Sequence, residues 1–370
     1  MPKGPVAAVL IVAIGLMSAC AGAPASSPSP GTAYDVAAAA EQARTFHTIA
    51  TADTYGNYGE QFSRFCETSF NFDCNREGRD LTEGSMSSAE EIGRWEAEKN
   101  NPQSVLADIG ILFIPQGEEV GVLADYEPPS ATLLPADLHG PGWVATFTGV
   151  PTILINLDAL EGRGLPVPET WEDLTDPAYA DLVGLGRVGV SGSGTWAFVA
   201  MNLAAGGTLE DWQPGVDYAR RLLPNITQQA SLDTFERGEV PISVRYDFNQ
   251  APWFPDLDER GVRYRMIVPE DGSIYAPSTL MLNRYDTAHA DFGRMFMEWV
   301  LTDEAQIIFA KYGARPIRSV VGDDRLEVPA EARANWLPDE EYEDVVTVDW
   351  RDIDPEELQT IWETQVATGG

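Results

Sequence analysis

The sequence predicts an α/β fold, and three stretches carry that expectation. Residues 45–50 have strand chemistry and run through a polar loop, 51–56, into a helix at 58–65. Residues 188–190 read as the end of a short buried strand, 191–195 as a tight turn and 196–204 as a helix. Residues 242–248 alternate as a strand does. In open α/β sheets ligands bind at the carboxyl ends of strands, so the loop at each of these places holds candidate residues.

Taken in order, the chain opens on a targeting segment over 1–20. Lys3 supplies the basic start and 6–17 an apolar run too short for a stable membrane span. Ser18-Ala19-Cys20 resembles a bacterial lipobox, with Met17 where leucine is usual and Leu16 adjacent. That resemblance implies a lipidated Cys20 as first mature residue; the alternative is ordinary secretory cleavage near Ala23. Either way the chain is exported. Residues 21–40, rich in Ala, Ser, Pro and Gly, read as a flexible tether. Cys66 and Cys74 form either a disulfide closing a small loop, as an oxidising compartment favours, or two free thiols. His47, His139 and His289 are scattered, so neither a metal site nor a cofactor is expected.

Further along, Ser88-Ala-Glu-Glu91 reads as a capping box opening a helix to Lys99. Residues 105–114 read as a buried strand with Asp108 and Gly110 inside it, and 143–157 as a long run rich in Thr, Val and Ile. Acidic residues outnumber basic ones 58 to 24, a net charge of −34, which argues against nucleic-acid binding and against docking on an anionic membrane surface. Attachment to a membrane would therefore rest on the lipid.

Candidate site residues fall on the three loops. Asp53, Thr54 and Tyr55 lie after the first strand, with a helix cap as the other role for Asp53. Ser191, Ser193, Gly194, Thr195 and Trp196 form a glycine-bearing turn into a helix, whose outward N–H groups suit an anion. An ordinary capped turn is the alternative there, and Trp196 is equally a core residue. At the third strand end, Arg245 suits an anionic group, Asp247 a cationic one and Tyr246 a stacked ligand, unless Arg245 and Asp247 pair with each other.

Enzyme motifs are thin. Gly184-Leu-Gly-Arg-Val-Gly189 matches G-x-G-x-x-G, but 187–190 reads as strand where the motif needs a turn into a helix. There is no G-x-S-x-G around Ser191, no H-E-x-x-H and no P-loop lysine. A secreted hydrolase working with carboxylates alone stays open.

Several pieces, in order, resemble the solute-binding proteins of bacterial ABC importers. They are 97–102 (AEKNNP), 121–126 (GVLADY), 149–156 (GVPTILIN), 168–179 (PETWEDLTDPAY), 191–195 (SGSGT), 268–273 (VPEDGS), 296–306 (FMEWVLTDEAQ) and 312–318 (YGARPIR). The similar branch handles ferric iron, phosphonates, sugar phosphates, thiamine and polyamines. The resemblance implies a two-lobed type II periplasmic-binding-protein fold with the ligand in the interlobe cleft. Its crossings fall near 145–151 and 268–277, giving lobe 1 as 41–149 plus 273–370 and lobe 2 as 150–272. Tyr275, just past the second crossing, would face the cleft. The expected function is capture of a small polar solute, anionic by a slight preference, for an ABC permease by a lipid-anchored monomer that is not an enzyme. Ferric iron is disfavoured because no Tyr-Tyr pair occurs. Thiamine and polyamines stay open, the latter through Asp53, Tyr55, Tyr246, Asp247 and Trp196.

Overall fold

The computed structural model describes residues 34–82 and 86–368. The targeting segment with Cys20, and most of the tether, lie outside the described residues.

The Thr/Val/Ile-rich run is two strands rather than one. β4 (Trp143–Gly149) and β5 (Pro151–Asn156) are buried along their whole length yet belong to different sheets. Val150 alone joins them. A side chain at Gly149 would place its Cβ 2.4 Å from Phe248, so only glycine lets the chain turn out of one sheet here.

The first sheet has the order β1-β2-β11-β4-β12, with β3 on β4. Its strands are β1 (Thr48–Ile49), β2 (Leu106–Gly110), β3 (His139–Gly140), β4, β11 (Ala276–Leu282) and β12 (Arg315–Pro316). β1 and β2 run parallel, while β11 lies antiparallel between β2 and β4. The second sheet has the order β7-β6-β8-β5-β9, from β5, β6 (Val183–Leu185), β7 (Ile226–Thr227), β8 (Ile242–Tyr246) and β9 (Tyr264–Ile267). The chain thus leaves the first sheet at Val150 and returns after Ile267.

Aromatic rings fill the first lobe. Phe62 stacks on Phe296 at 4.2 Å between centroids, tying the helix Tyr58–Phe70 to the helix Ala290–Trp299, and Phe46, just before β1, stacks on Phe292 of the same second helix at 4.0 Å. Cys66, on the former helix, is disulfide-bonded to Cys74. The second lobe is built round the helix Gly192–Ala204, buried on every face through its middle. A helix apolar all round belongs inside a core.

Four expectations need correction. The apolar run 105–114 is a strand only to Gly110; a 3-10 turn, Ile111–Phe113, and the helix Ile114–Glu119 follow. The strand before the glycine turn is Val183–Leu185, and 187–190 is the turn itself. The capping box is Ser87 with Glu90, one residue earlier than expected, which leaves Glu91 out of the cap. Finally, the C-terminal tail does not stay on lobe 1. Trp350 packs edge-on against Trp143 of the first lobe, 5.9 Å between centroids. Trp362 then packs against Phe198 of the second at 5.6 Å. Between the crossings, β13 (Val345–Val346) pairs in parallel with β10 (Ser273–Ile274). The tail is therefore a third connection between the lobes.

Candidate ligand-binding cleft

A cavity of about 230 Å³ opens where the two sheets present their strand ends. Lobe 1 contributes Tyr55, Glu91, Asp108 and Ser278; lobe 2 contributes Ser191, Gly192, Ser193, Gln229, Arg245 and Tyr246. That volume suits a small solute.

On the lobe 2 side, the glycine turn is braced from within. Thr195 Oγ1 donates to the Ser191 carbonyl at 2.7 Å and accepts from the Gly189 N–H at 2.9 Å. Gly194 packs so close to Gly186 that a Cβ would sit 2.3 Å from its carbonyl oxygen. These contacts aim Ser191 and Ser193 into the cavity, with Gln229 donating to Ser193 Oγ at 3.3 Å. The first-turn N–H groups of Gly192 and Ser193 have no intrahelical partner, and they share the cavity wall with Arg245. Arg245 lies 5.6 Å from the Trp253 ring and donates from Nη1 to the Ala230 carbonyl at 3.4 Å. Its Nε is buried without a partner. Burial pulls its pKa below the ordinary value.

The lobe 1 side is acidic. Asp108, buried on β2, accepts from Tyr58 at 2.7 Å, from Tyr55 at 3.4 Å and from Ser278. Desolvation outweighs these three donors and lifts its pKa to about 7. Glu91 is buried at 3 % exposure on the helix Ser88–Ala97. Its pKa is pushed well up, by burial first and then by Asp108, Asp80 and Glu90.

The structure brings Tyr55, Ser191, Ser193, Arg245 and Tyr246 of the expected residues to this cavity. It does not bring the others. Asp53 is exposed and ion-paired with Arg79 at 2.9 Å. Thr54 is also exposed and lines no part of the cavity. Gly194 and Thr195 are buried in the turn, and Trp196 is a core residue at 1 % exposure. Asp247 points into the hinge, where it accepts from the Val150 N–H at 3.0 Å and from Tyr342 Oη at 2.8 Å, and it makes no pair with Arg245. Tyr275 packs against the cluster of Val150, Val268 and Tyr342 at the crossings. Glu91, Asp108, Ser278 and Gln229 were missed as site residues. An aspartate inside an apolar strand was the visible signal for Asp108.

A family model for bacterial extracellular solute-binding proteins matches residues 107–344. The chain belongs to that family. No curated protein matches this solute-binding protein in sequence. Among solved structures, it is similar to the periplasmic binding protein AfuA from Actinobacillus pleuropneumoniae, with fructose-6-phosphate bound. They share 19 % identity over 88 % of this chain and 99 % of that one, with a TM-score of 0.67. The apo ferric ion-binding protein A of Pasteurella haemolytica is 14 % identical over 86 % and 97 % of the two chains, TM-score 0.62. A putative spermidine/putrescine transporter protein from Listeria monocytogenes is 15 % identical over 86 % and 99 %, TM-score 0.58. At these identities the likeness is one of fold, the two-lobed periplasmic-binding-protein architecture. As a family member, the chain is an extracellular solute-binding protein. No helix among the described residues is long and apolar enough to cross a membrane.

Proposed function

We propose that this solute-binding protein captures a small polar solute with an anionic group, of the phosphonate or phosphate-ester kind, in the interlobe cleft. The observation behind this reading is Arg245, which lines the cavity beside the helix start at Gly192 and keeps a buried, unpartnered Nε. A guanidinium and free backbone N–H groups together suit a multidentate anion. Ligand contact with both lobes favours the closed state, and that differential affinity drives closure. The two lobes are 41–149 with 273 onward, and 150–272, with the tail bridging them. The protein acts as a monomer on the outer face of the cell membrane, held by a lipid on Cys20.

The test is calorimetric titration with alkylphosphonates and sugar phosphates on ligand-stripped protein, wild type and Arg245→Ala. Losing charge-assisted hydrogen bonds of about 1.5–3 kcal/mol weakens binding roughly 10- to 150-fold. Affinity within about twofold in the variant would refute the assignment. A polyamine or thiamine reading draws on the Glu91–Asp108 side of the cavity. Ferric iron has less support, since no Tyr-Tyr pair occurs.

A further inference from the structure

The cleft has an acidic wall and a basic one. Glu91 and Asp108 stand on lobe 1, on the helix Ser88–Ala97 and on β2; Arg245 and the helix start stand on lobe 2. None of these three ionisable side chains belongs to an ion pair among the described residues. Arg245 has the aromatic Trp253 and a carbonyl for company, and its nearest electrostatic neighbours are Tyr312 and Tyr55. Glu91 faces Asp108, Asp80 and Glu90, all acidic. Its carboxylate lines the cavity and makes no hydrogen bond among the described residues. A carboxyl buried to this degree holds its proton until a cation or donors offset the lost hydration of its charged form. The protein supplies three hydroxyl donors to Asp108 and none to Glu91. The missing partner on lobe 1 is thus a positive group with several N–H donors.

We infer that the solute is a zwitterion, with its anionic group against Arg245 and an ammonium group against Glu91 and Asp108. This rests on the anion reading of the Arg245 wall and adds a second pole to it. Such a ligand neutralises both walls only when it touches both lobes, so each pole draws one lobe onto the other. A simple anion leaves Glu91 unpartnered, and a polyamine leaves Arg245 so.

Matched probe pairs test this by calorimetry at pH 7.5: 2-aminoethylphosphonate with ethylphosphonate, γ-aminobutyrate with butyrate, and glucosamine 6-phosphate with glucose 6-phosphate. Putrescine serves as the cation-only probe. The expected result is at least one pair in which the amine-bearing member binds tenfold or more tighter. In that pair Glu91→Gln should weaken the amine-bearing member about tenfold and leave its amine-free partner within about twofold. The Gln variant is isosteric, and the pairwise comparison on wild-type protein stands even if that variant folds poorly. Equal or tighter binding of the amine-free members, lost in Arg245→Ala, overturns the zwitterion and leaves the anion site standing. Binding of putrescine with no response to any anion overturns both readings, as does silence from the whole panel.

Discussion

Replacing Asp108 by asparagine should make the free protein less sensitive to pH, by an amount that follows from its surroundings. Its carboxyl is buried beneath Tyr55, Tyr58 and Ser278, with Glu91 and Tyr246 close by, and its pKa rises from 3.8 to about 7. The folded protein therefore binds a proton there that the unfolded chain releases near pH 4. Its stabilising contribution is whole below about pH 4 and is lost as pH climbs through 7. At about 1.4 kcal/mol per pH unit across about three units, the loss approaches 4 kcal/mol. Asparagine keeps the shape and carries no proton to lose. Urea unfolding of both proteins at pH 4, 5.5, 7 and 8 isolates the effect, because the other groups titrate in each. The stability of Asp108→Asn minus that of wild type should grow by about 4 kcal/mol between pH 4 and pH 8 and then level off. Parallel profiles would refute the claim that burial, rather than the three hydroxyl donors, governs this carboxyl.

Other outcomes follow from contacts away from the cavity. Tyr342→Phe takes one donor from buried Asp247 and should cost about 1–3 kcal/mol in urea unfolding, against no change if solvent reaches that carboxyl. Gly189→Ala combines φ of +79° with a Cβ only 2.3 Å from Gln359, so it should lower the melting temperature by several degrees and expose the tail to protease. An unchanged cleavage pattern would show that the tail is not seated on the turn. The Cys66–Cys74 bond spans a sequence separation of 8, for which loop closure predicts about 2–3 kcal/mol. Reductant should lower the wild-type melting temperature and leave the Cys66→Ser/Cys74→Ser variant unmoved.

Much of the fold was legible because glycine, alternation and apolar runs speak locally. The helix that follows the Ser-Gly-Ser-Gly stretch and the strand Ile242–Tyr246 needed only neighbouring residues to be seen. The side chains inside those elements were harder. Thr195 looks like a free hydroxyl at a helix start, yet the returning Gly189 N–H occupies it, and only the folded turn makes that contact. Asp247 stands two residues after Arg245, where alternation alone would put both on one face, but the strand ends at Tyr246 and Asp247 opens the short helix Asp247–Gln250, which turns it into the hinge. Glu91 hid behind a capping pattern that is satisfied one residue earlier, by Ser87 and Glu90. The tail's bridge was invisible because strands of two residues, such as β13, have no period to read.

That bridge limits how far the molecule can gape. Between Trp350 and the helix Pro355–Ile361 run only residues 351–354, which span at most about 14 Å when straight. The helix itself adds about 10 Å as a rigid rod. A hinge made of two strands alone sets an axis and no stop, whereas a short leash fixed at Trp143 and Phe198 sets a maximum aperture. Past that aperture an aromatic anchor must let go. The length of the tail is then an upper bound on how wide the cleft opens while both anchors hold.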